Sequence, residues 1–323
     1  MTAINNRPYS VIKRLATILI LALLAPLVAL PTPADAAAGM DVGAVLINPT
    51  NFSTQVARLQ KMRATSVRLH MYYKASPDSP VFTKAQIDQL YNAGIRRFIL
   101  RSAEAPDAAT LGREFFSDRT SDGWTMWDIS GTRTDSWWFF ELNNEPNLEG
   151  KSPYNARWDT LTFLKDNRPG HTRNNLRYIA SMPTPDGGAG YTGAQYFDAY
   201  MRDTGDGLGC MLYSTAAGCT NTPYAPDGLG VHFYGYNNLE RADGHAPYTT
   251  YDWVRGWSST IPIYATEAGI DGGSWDAKAN LLNDFYRNVP TGTYIVTYFA
   301  ITTDGSWPHY SITDGGASII GAR

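Results

Sequence analysis

The sequence predicts an α/β fold of a single domain, in which eight parallel strands alternate with helices and close into a (β/α)8 TIM barrel. Short apolar runs alternate with longer amphipathic runs from Met40 onward, which is typical of βα units and a parallel sheet. Eight of the short runs can form strands, and eight is the number that closes such a barrel. The region 37–323 is long enough for one barrel, which typically needs about 250 residues.

The predicted strands are four to eight residues long, and most are rich in β-branched or aromatic residues. In chain order they are Val42 to Ile47, Ser66 to Met71, Arg96 to Leu100, Trp137 to Leu142, Arg177 to Ser181, Gly230 to Phe233, Ile261 to Thr266 and Tyr294 to Ile301. The fourth and the seventh strand each run directly into a segment that contains a glutamate.

Helices are predicted where apolar periodicity coincides with a capping residue. Ser53 is expected to cap the first helix and Thr83 the second, which stops at Gly94. Further helices are predicted at Ala108 to Phe116, Gly193 to Arg202, Tyr251 to Ser258 and Asp276 to Arg287, with a shorter helical pattern at Trp158 to Lys165. Only 22 residues follow the eighth strand, so the last helix is expected to be short or missing.

Residues 1–36 are predicted to be a secretion signal peptide that the mature protein lacks. A basic start, which includes Arg14, precedes an apolar run from Leu15 to Leu30, and Ala34-Asp35-Ala36 has the small-x-small form of a cleavage site. An uncleaved membrane anchor is the alternative, but these 16 apolar residues are fewer than the ~20 that a spanning helix needs. We therefore expect a secreted protein, in the extracellular space or cell envelope, whose folded domain comprises residues 37–323.

The charge of the chain argues against partners that are held by bulk electrostatics. The net charge is −3 at pH 7, and no basic patch is evident that would attract nucleic acid or anionic lipid. We expect no nucleic-acid partner, no membrane partner after signal cleavage, and a monomer.

The two cysteines predict a local disulfide and no metal site. Cys210 and Cys219 have eight residues between them, in a glycine-rich segment of a protein that is expected to be exported. A pair of free thiols is the alternative. No histidine or cysteine cluster is nearby, and the acidic segment Asp203 to Gly207 lacks the later glutamate of a calcium loop. The sequence therefore calls for no metal and no cofactor.

Two glutamates follow apolar strands and carry the functional argument. Glu145 lies in the segment WWFFELNNEPNLEG, which begins at Trp137, and Glu267 lies in IPIYATEAGI, which begins at Ile261. In a barrel the carboxyl ends of the strands share one face, so the two side chains are expected to converge there. Cleavage of a glycosidic bond needs one protonated carboxyl group and one ionised carboxylate. The pair therefore predicts acid–base chemistry on such a bond.

The segment from Phe140 to Pro146 resembles the fourth strand of family 5 in the clan of retaining glycoside hydrolases with a (β/α)8 barrel, which often reads Phe-Glu-Leu-x-Asn-Glu-Pro. The resemblance implies that Glu145 is the acid/base and Glu267 the nucleophile. It also implies that Asn144 donates a hydrogen bond to the sugar 2-hydroxyl, an interaction expected to strengthen in the transition state.

Further matches and two departures complete the resemblance. Arg68, in VRLH, matches an arginine that bonds the nucleophile, and His232 and Tyr234, in VHFYGY, match a His-x-Tyr pair whose tyrosine orients the nucleophile. The histidine usual after the third strand is replaced by the segment from Arg101 to Glu104. The tryptophan usual at the end of the eighth strand is also missing, and Trp307 lies further on as a substrate-binding candidate.

Other side chains receive structural or substrate-stacking roles. Glu141 shares strand parity with Trp137 and Phe139, so it is expected inside the barrel, paired with Arg68. Flat aromatic rings suit the C–H faces of pyranose sugars. Four tryptophans in loops expected on the catalytic side are therefore candidate sugar platforms: Trp124, Trp127, Trp275 and Trp307.

The sequence thus predicts a glycosidase that cleaves a β-linked polysaccharide or oligosaccharide with retention, by double displacement and with endo action, and whose carboxyl groups lie ~5 to 5.5 Å apart. A carbohydrate-binding protein on a barrel scaffold that has lost catalysis is one alternative, since fold alone does not imply function. A transglycosidase with a sugar acceptor is another. Glucan, mannan, xylan, galactan and small aryl glycosides all fit two glutamates in a barrel.

Overall fold

The structure is a computed structural model that describes residues 40–72, 80–201, 225–234, 249–258, 260–270, 273–290, 292–302, 305 and 308–323. In these residues eight strands alternate with helices and form one closed parallel barrel, with neighbours in chain order. The first strand pairs with the last, which closes the ring. The predicted single-domain (β/α)8 TIM barrel is confirmed.

All eight predicted strands are present, with bounds that differ from the predictions by a few residues. They are β1 (Asp41–Leu46), β2 (Ser66–His70), β3 (Arg97–Arg101), β4 (Trp137–Leu142), β5 (Leu176–Ser181), β6 (Gly228–Tyr234), β7 (Ile263–Gly269) and β8 (Thr293–Tyr298). The prediction for the fourth strand is correct at both ends, whereas β7 begins and ends later than expected.

The helices of the described residues lie between the strands and after β8. They are α1 (Phe52–Lys61), α2 (Lys84–Asn92), α3 (Ala108–Phe116), α4 (Met126–Gly131), α5 (Pro153–Asn167), α6 (Gly193–Met201), α7 (Thr249–Trp257), α8 (Trp275–Arg287) and α9 (Asp314–Gly321). The last of them has eight residues, so the expectation of a short final helix is met.

Two helix starts differ from the sequence prediction, and one agrees. Thr83 caps α2 with a complete capping box. Ser53 does not cap α1, because the helix already begins at Phe52 after Asn51, whose backbone is left-handed. Helix α5 is longer than the predicted pattern, because Ser152 accepts a hydrogen bond from the third helical residue and Pro153 occupies the first position, where its missing N–H costs nothing.

The barrel has an apolar lower interior and a charged upper interior. Five buried side chains from alternate positions of the strands form the lower layer: Ile99, Phe139, Ile179, Tyr264 and Ile295. A larger core fills the space between the strands and the surrounding helices. The next inward-facing position above Phe139 is Glu141, which is fully buried. The interior therefore changes from packing to polar chemistry toward the carboxyl ends of the strands.

Some sequence predictions fall outside the described residues. These are the signal peptide at 1–36, the disulfide of Cys210 and Cys219, and the substrate contact of Trp307. Among the residues that the structure describes, no helix is both long enough and apolar enough to cross a membrane.

Candidate active site

The acid/base candidate Glu145 is positioned by a sharp turn at the end of β4. Asn143 follows the strand with φ 68°, in the left-handed region that few residues other than glycine adopt. Its side-chain amide donates to Thr160 Oγ1 on α5 at 3.1 Å, which holds the turn against the helix behind it. The chain therefore leaves the strand direction before Asn144 and Glu145, whose side chains face the barrel mouth.

The nucleophile candidate Glu267 is positioned by a bulge in β7. Val231 of β6 pairs with Ala265, but the next residue, His232, pairs with Glu267, so one residue of β7 is skipped. A bulge of this kind re-aims the side chain that follows it. Glu267 consequently lies opposite His232 at the carboxyl end of the barrel, and its side chain is 5% exposed.

Arg68 of β2 connects the polar groups of this mouth. Its Nε donates to Glu141 Oε2 at 2.5 Å, and its Nη1 forms an ion pair with Glu267. Nη1 also lies 3.0 Å from His70 Nε2, and Nη2 donates to Asn144 Oδ1 at 2.7 Å. The predicted pairing of Arg68 with Glu141 is thereby confirmed. A guanidinium only donates, so Asn144 must turn its oxygen toward Arg68 and its amide nitrogen away from it.

The carboxylate of Glu141 is buried inside the barrel, beside Gly230. Ser181 donates to Glu141 Oε1 at 3.1 Å, so both carboxylate oxygens are bonded. A Cβ atom at Gly230 would lie 3.0 Å from the same oxygen, which is tighter than an ordinary contact. The carboxylate therefore balances the charge of Arg68 from below and has no direct path to a substrate.

The surroundings keep Glu267 ionised. Burial alone would raise the pKa of this carboxyl, but the neighbouring His232 and Arg68 lower it well below its usual range. The hydroxyl of Tyr234 also donates to Glu267 Oε2. Burial and the carboxylate of Glu267 in turn raise the pKa of Tyr234, so this hydroxyl keeps its proton and remains a donor. Glu267 is thus a fixed anion, held by donors on both oxygens.

Glu145 has a less enclosed environment with one close partner. Its side chain is 20% exposed, and His232 Nδ1 lies 2.9 Å from Glu145 Oε1. His232 Nε2 is buried and makes no hydrogen bond within the described part of the chain, so the imidazole proton is assigned to Nδ1. Burial would lower the pKa of His232, but Glu267 and Glu145 raise it. The second oxygen of Glu145 is left to face the mouth.

The two carboxyl groups are close together. One oxygen of Glu145, one of Glu267 and one ring nitrogen of His232 all lie within 4.8 Å of one another. This is the candidate cation site that the described residues offer. Arg68 already forms an ion pair with Glu267, which is one of the two carboxylates of this site. The same proximity is what a two-carboxylate mechanism needs.

The structure brings together most of the residues singled out from the sequence. Glu145, Glu267, Asn144, Arg68, His232 and Tyr234 all lie in one network at the carboxyl end of the barrel. Sequence reasoning missed His70, although its strand parity with Arg68 places it inside the barrel. Burial and the charge of Arg101 lower the pKa of His70 to about 3, so the ring is neutral and accepts from Arg68.

The ends of β3 and β8, where family 5 residues are missing, carry other side chains. Arg101 is buried at the end of β3, and its Nη2 donates to Glu149 Oε1 at 3.0 Å. The other oxygen of Glu149 accepts from the backbone of Ala105 at 2.6 Å. After β8, the ring of Phe299 packs edge-on against that of Tyr234, with centroids 6.2 Å apart. An ion pair and a phenyl ring thus replace the histidine and the tryptophan.

One of the predicted sugar platforms is on the wrong side of the barrel. The ring of Trp124 lies against the ammonium group of Lys84, the first residue of α2, so Trp124 is on the catalytic side as expected. Trp127 lies on α4, where the chain returns to the amino ends of the strands. The carbonyl of Trp127 accepts from Arg173, which precedes β5. Trp275 begins α8, after β7, and is on the catalytic side as expected.

No family model and no curated protein matches the sequence, but solved structures match the fold. A family 128 endo-β-1,3-glucanase from Sorangium cellulosum has a TM-score of 0.51 and 14% identity over 88% of this chain and 98% of that chain. A family 5 xyloglucan-specific endo-β-1,4-glucanase from a metagenomic library has a TM-score of 0.51 and 13% identity over 90% and 98%. A β-glucosidase from Exiguobacterium marinum has a TM-score of 0.50 and 9% identity over 88% and 97%.

At these identities the likeness concerns the fold. The chain is structurally similar to (β/α)8 glycoside hydrolases, and this similarity extends over most of its length. The roles of individual residues rest on the geometry of the site itself.

Proposed function

We propose that the protein is a retaining glycoside hydrolase that cleaves β-linked polysaccharides, and we place it beside family 5 because of the residues from Phe140 to Pro146. The observation that carries the proposal is the short separation of Glu145 and Glu267, whose nearest oxygens lie within 4.8 Å at the barrel mouth. Retaining enzymes have carboxyl groups ~5 to 5.5 Å apart, whereas inverting enzymes need ~6.5 to 9.5 Å to admit a water molecule.

In the first step Glu267 attacks the anomeric carbon, and Glu145 protonates the leaving oxygen. The attacking group must be ionised, and the lowered pKa of Glu267 supports that role. Arg68 and Tyr234 hold its two oxygens, so the carboxylate needs little reorganisation to react. The bond to the leaving group breaks as the glycosyl-enzyme ester forms.

The proton for the leaving group comes from the pair formed by Glu145 and His232. Burial lowers the pKa of His232, but the nearby Glu267 and Glu145 raise it above its ordinary value, so the imidazole favours a proton on this pair. His232 Nδ1 donates to Glu145 Oε1, so the second oxygen of Glu145 carries the proton toward the substrate. Once Glu267 is esterified its charge is gone, and Glu145 is free to deprotonate the water that releases the sugar.

Asn144 is the substrate-orienting group that the network leaves available. Its oxygen is bonded to Arg68, so its amide nitrogen points into the mouth and can donate to the 2-hydroxyl of the reacting sugar. Arg68 therefore positions both the nucleophile and this donor, which couples sugar recognition to the attack.

Reducing-sugar release tests the proposal. The mature protein is incubated with soluble β-glucans, mannans, xylans and galactans, beside its Glu267→Gln and Glu145→Gln variants. We expect release from one polymer class by the unaltered protein and none by Glu267→Gln. Retained polymer binding without release would identify a binding protein, and products larger than the substrate would identify a transglycosidase.

We also propose that residues 1–36 direct export and are then removed. The support is the basic start, the apolar run and the small-residue site of the sequence. Mass spectrometry of protein recovered from the culture medium should give an N-terminus at Ala37. Protein that stays with the membrane and keeps residues 1–36 would contradict this part of the proposal.

A further inference from the structure

The described surface exposes a pair of aromatic side chains on α5 that has no part in the mechanism. Tyr154 is 50% exposed and Trp158 is 45% exposed. They are four residues apart, so they occupy the same face of the helix on successive turns. Their rings are near-parallel, with centroids 6.1 Å apart and an angle of 17° between the planes. We call these two side chains the α5 aromatic pair.

Apolar side chains elsewhere on α5 are buried, in contrast to Tyr154 and Trp158. The inward face of the helix is buried, as at Ala156, Leu161 and Leu164. The other exposed residues of the helix are polar, namely Asn155, Lys165 and Asp166. The pair is therefore a narrow apolar strip at the amino end of the helix, and water contacts both rings.

The α5 aromatic pair lies at the edge of the catalytic mouth. Helix α5 follows β4, so its first turn is at the carboxyl end of the barrel, and Tyr154 is nine residues after Glu145. Leu148, which is 51% exposed, lies on the connection between them. The backbone N–H of Glu149 donates to the carbonyl of Glu145 at 2.9 Å, so the connection begins with a tight turn. Leu148 and the α5 aromatic pair are thus exposed apolar side chains that follow the same catalytic strand.

A neighbouring loop adds another exposed ring to the same side. Tyr191, which is 42% exposed, lies on the connection from β5 to α6. Asn147 donates to the carbonyl of Gly187 at 2.8 Å, and Tyr196 donates to that of Lys151 at 2.9 Å. The two connections are therefore bound to each other. Four of the five most exposed large apolar side chains in the described residues come from this region, and such clustering marks an interaction surface.

We infer that the α5 aromatic pair is a second carbohydrate-binding site, outside the catalytic mouth, for the β-linked polysaccharide chain that the mouth cleaves. The inference rests on the proposed function for the identity of the polymer. Tyrosine and tryptophan combine a flat apolar face, which fits the C–H face of a pyranose, with a polar edge that meets hydroxyl groups.

A polymer fits this surface better than a folded protein does. A stable protein interface buries roughly 800 Å² on each partner, and a strip of two rings with charged residues beyond it is much narrower. A sugar chain is itself narrow, and its neutral hydroxyl groups need no matching charge. A chain bound here would also be held close to Glu145, which raises its effective concentration at the mouth.

Binding to insoluble polymers tests the inference. The probes are β-1,3-glucan, amorphous β-1,4-glucan and β-1,4-mannan, and binding is measured by depletion in the Glu267→Gln background, which prevents turnover. We expect Tyr154→Ala with Trp158→Ala to weaken binding to one polymer about tenfold. Tyr154→Phe with Trp158→Phe keeps the ring faces and should retain binding. The matched control is Trp127→Ala, a partly buried tryptophan beside Arg173 at the opposite end of the barrel, which should bind like its parent.

Activity separates this inference from the proposed function. In proteins with Glu267 intact, the ratio of polymer hydrolysis to aryl-glycoside hydrolysis should fall in the double alanine variant and stay constant in Trp127→Ala. A double alanine variant that is folded by circular dichroism and binds polymer like its parent overturns the inference, as does a parent that binds none of the three polymers. Polymer binding through the pair without hydrolysis of any substrate would refute the proposed function and leave the second site standing.

Discussion

Glu145 and Glu267 are the same residue type at the ends of two strands of one barrel, but their surroundings differ. Glu267 is 5% exposed and is held by a guanidinium and a phenol. Glu145 is 20% exposed and bonds an imidazole through one oxygen. The first environment fixes a negative charge, and the second leaves the carboxyl group closer to solvent. Under the proposed function the environment, and not the residue type, divides the roles of nucleophile and acid/base.

Replacement of each glutamate should give the largest effects on kcat, and the two replacements should differ. Glu267→Gln removes the attacking atom and should lower kcat by about 10⁴- to 10⁶-fold, in the range seen when a nucleophile is lost. Glu145→Gln removes only the proton transfer, which contributes about 10²- to 10⁴-fold. The loss from Glu145→Gln should shrink with an aryl leaving group that needs no protonation.

Added azide distinguishes the two losses further. In Glu145→Ala azide can attack the glycosyl-enzyme, so activity on an activated aryl glycoside should return with a β-glycosyl azide product. In Glu267→Ala azide replaces the nucleophile itself, so any product should be the α-glycosyl azide. Equal responses of the two variants, with the same product anomer, would contradict the division of roles.

Loss of Arg68 should have the largest effect on stability. Arg68→Met leaves Glu141 and Glu267 buried without their cation, and breaking a buried pair in this way costs about 3–5 kcal/mol. Urea unfolding at pH 7 and pH 4 measures the cost, which should shrink at pH 4 as Glu267, whose pKa burial raises and Arg68 no longer lowers, takes up a proton. Glu141→Gln in the same variant should recover part of the stability at pH 7. A cost that is unchanged between the two pH values would contradict the account.

The two histidines should give opposite pH dependences of stability. The pKa of His70 falls from 6.5 unfolded to about 3 folded. The unfolded state therefore binds the extra proton, and stability falls as pH drops from 6.5 toward 3, by up to about 1.4 kcal/mol per pH unit. The pKa of His232 is raised, so its contribution is present below 6.5 and is lost as pH rises through the folded pKa.

Urea unfolding of His70→Gln and His232→Gln between pH 4 and pH 8 measures these slopes. Glutamine at 70 keeps an acceptor for Arg68 but does not titrate, so this variant should lose stability more slowly than the parent below pH 6.5. The parent should lose stability relative to His232→Gln as pH rises above 6.5, because only the parent has a proton to release there. Parallel curves for the parent and either variant would contradict the assignment for that histidine.

The smallest expected effect on stability concerns the backbone features that orient the two glutamates. Strand β4 uses the left-handed residue Asn143, whereas β7 uses a bulge. Asn143→Ala and Asn143→Gly both lose the bond to Thr160, but only alanine has a Cβ that opposes φ 68°. The free energy of unfolding of Asn143→Ala, measured in urea, should therefore be lower than that of Asn143→Gly by about 1–2 kcal/mol. Equal stabilities would show that the left-handed backbone is not retained in the variants.

The sequence predicts the barrel and most of the candidate site because both depend on local patterns. Apolar runs define the strands, and a polar residue just after a buried strand must lie at the barrel mouth. Strand parity places Glu141 inside and pairs it with Arg68, as the structure shows. The same parity places His70 beside Arg68, so that residue was accessible to the same reasoning.

Other features depend on pairing between distant segments. The β7 bulge is a mismatch with β6 and has no signal within β7 alone. Trp127 was placed at the wrong end because the short helix α4 was not predicted, so the return of the chain along α4 was not recognised. The α5 aromatic pair has helical spacing in the sequence, but only the structure shows that its face is exposed.

The stereochemistry of the first product tests the central claim most directly. Proton NMR of a hydrolysis time course, on the polymer class that releases reducing sugar, resolves the α and β anomers before they interconvert. Carboxyl groups as close as Glu145 and Glu267 predict that the β anomer appears first and that the α anomer follows by mutarotation. An α anomer that appears first would demonstrate inversion and contradict the assignment of Glu267 as the nucleophile.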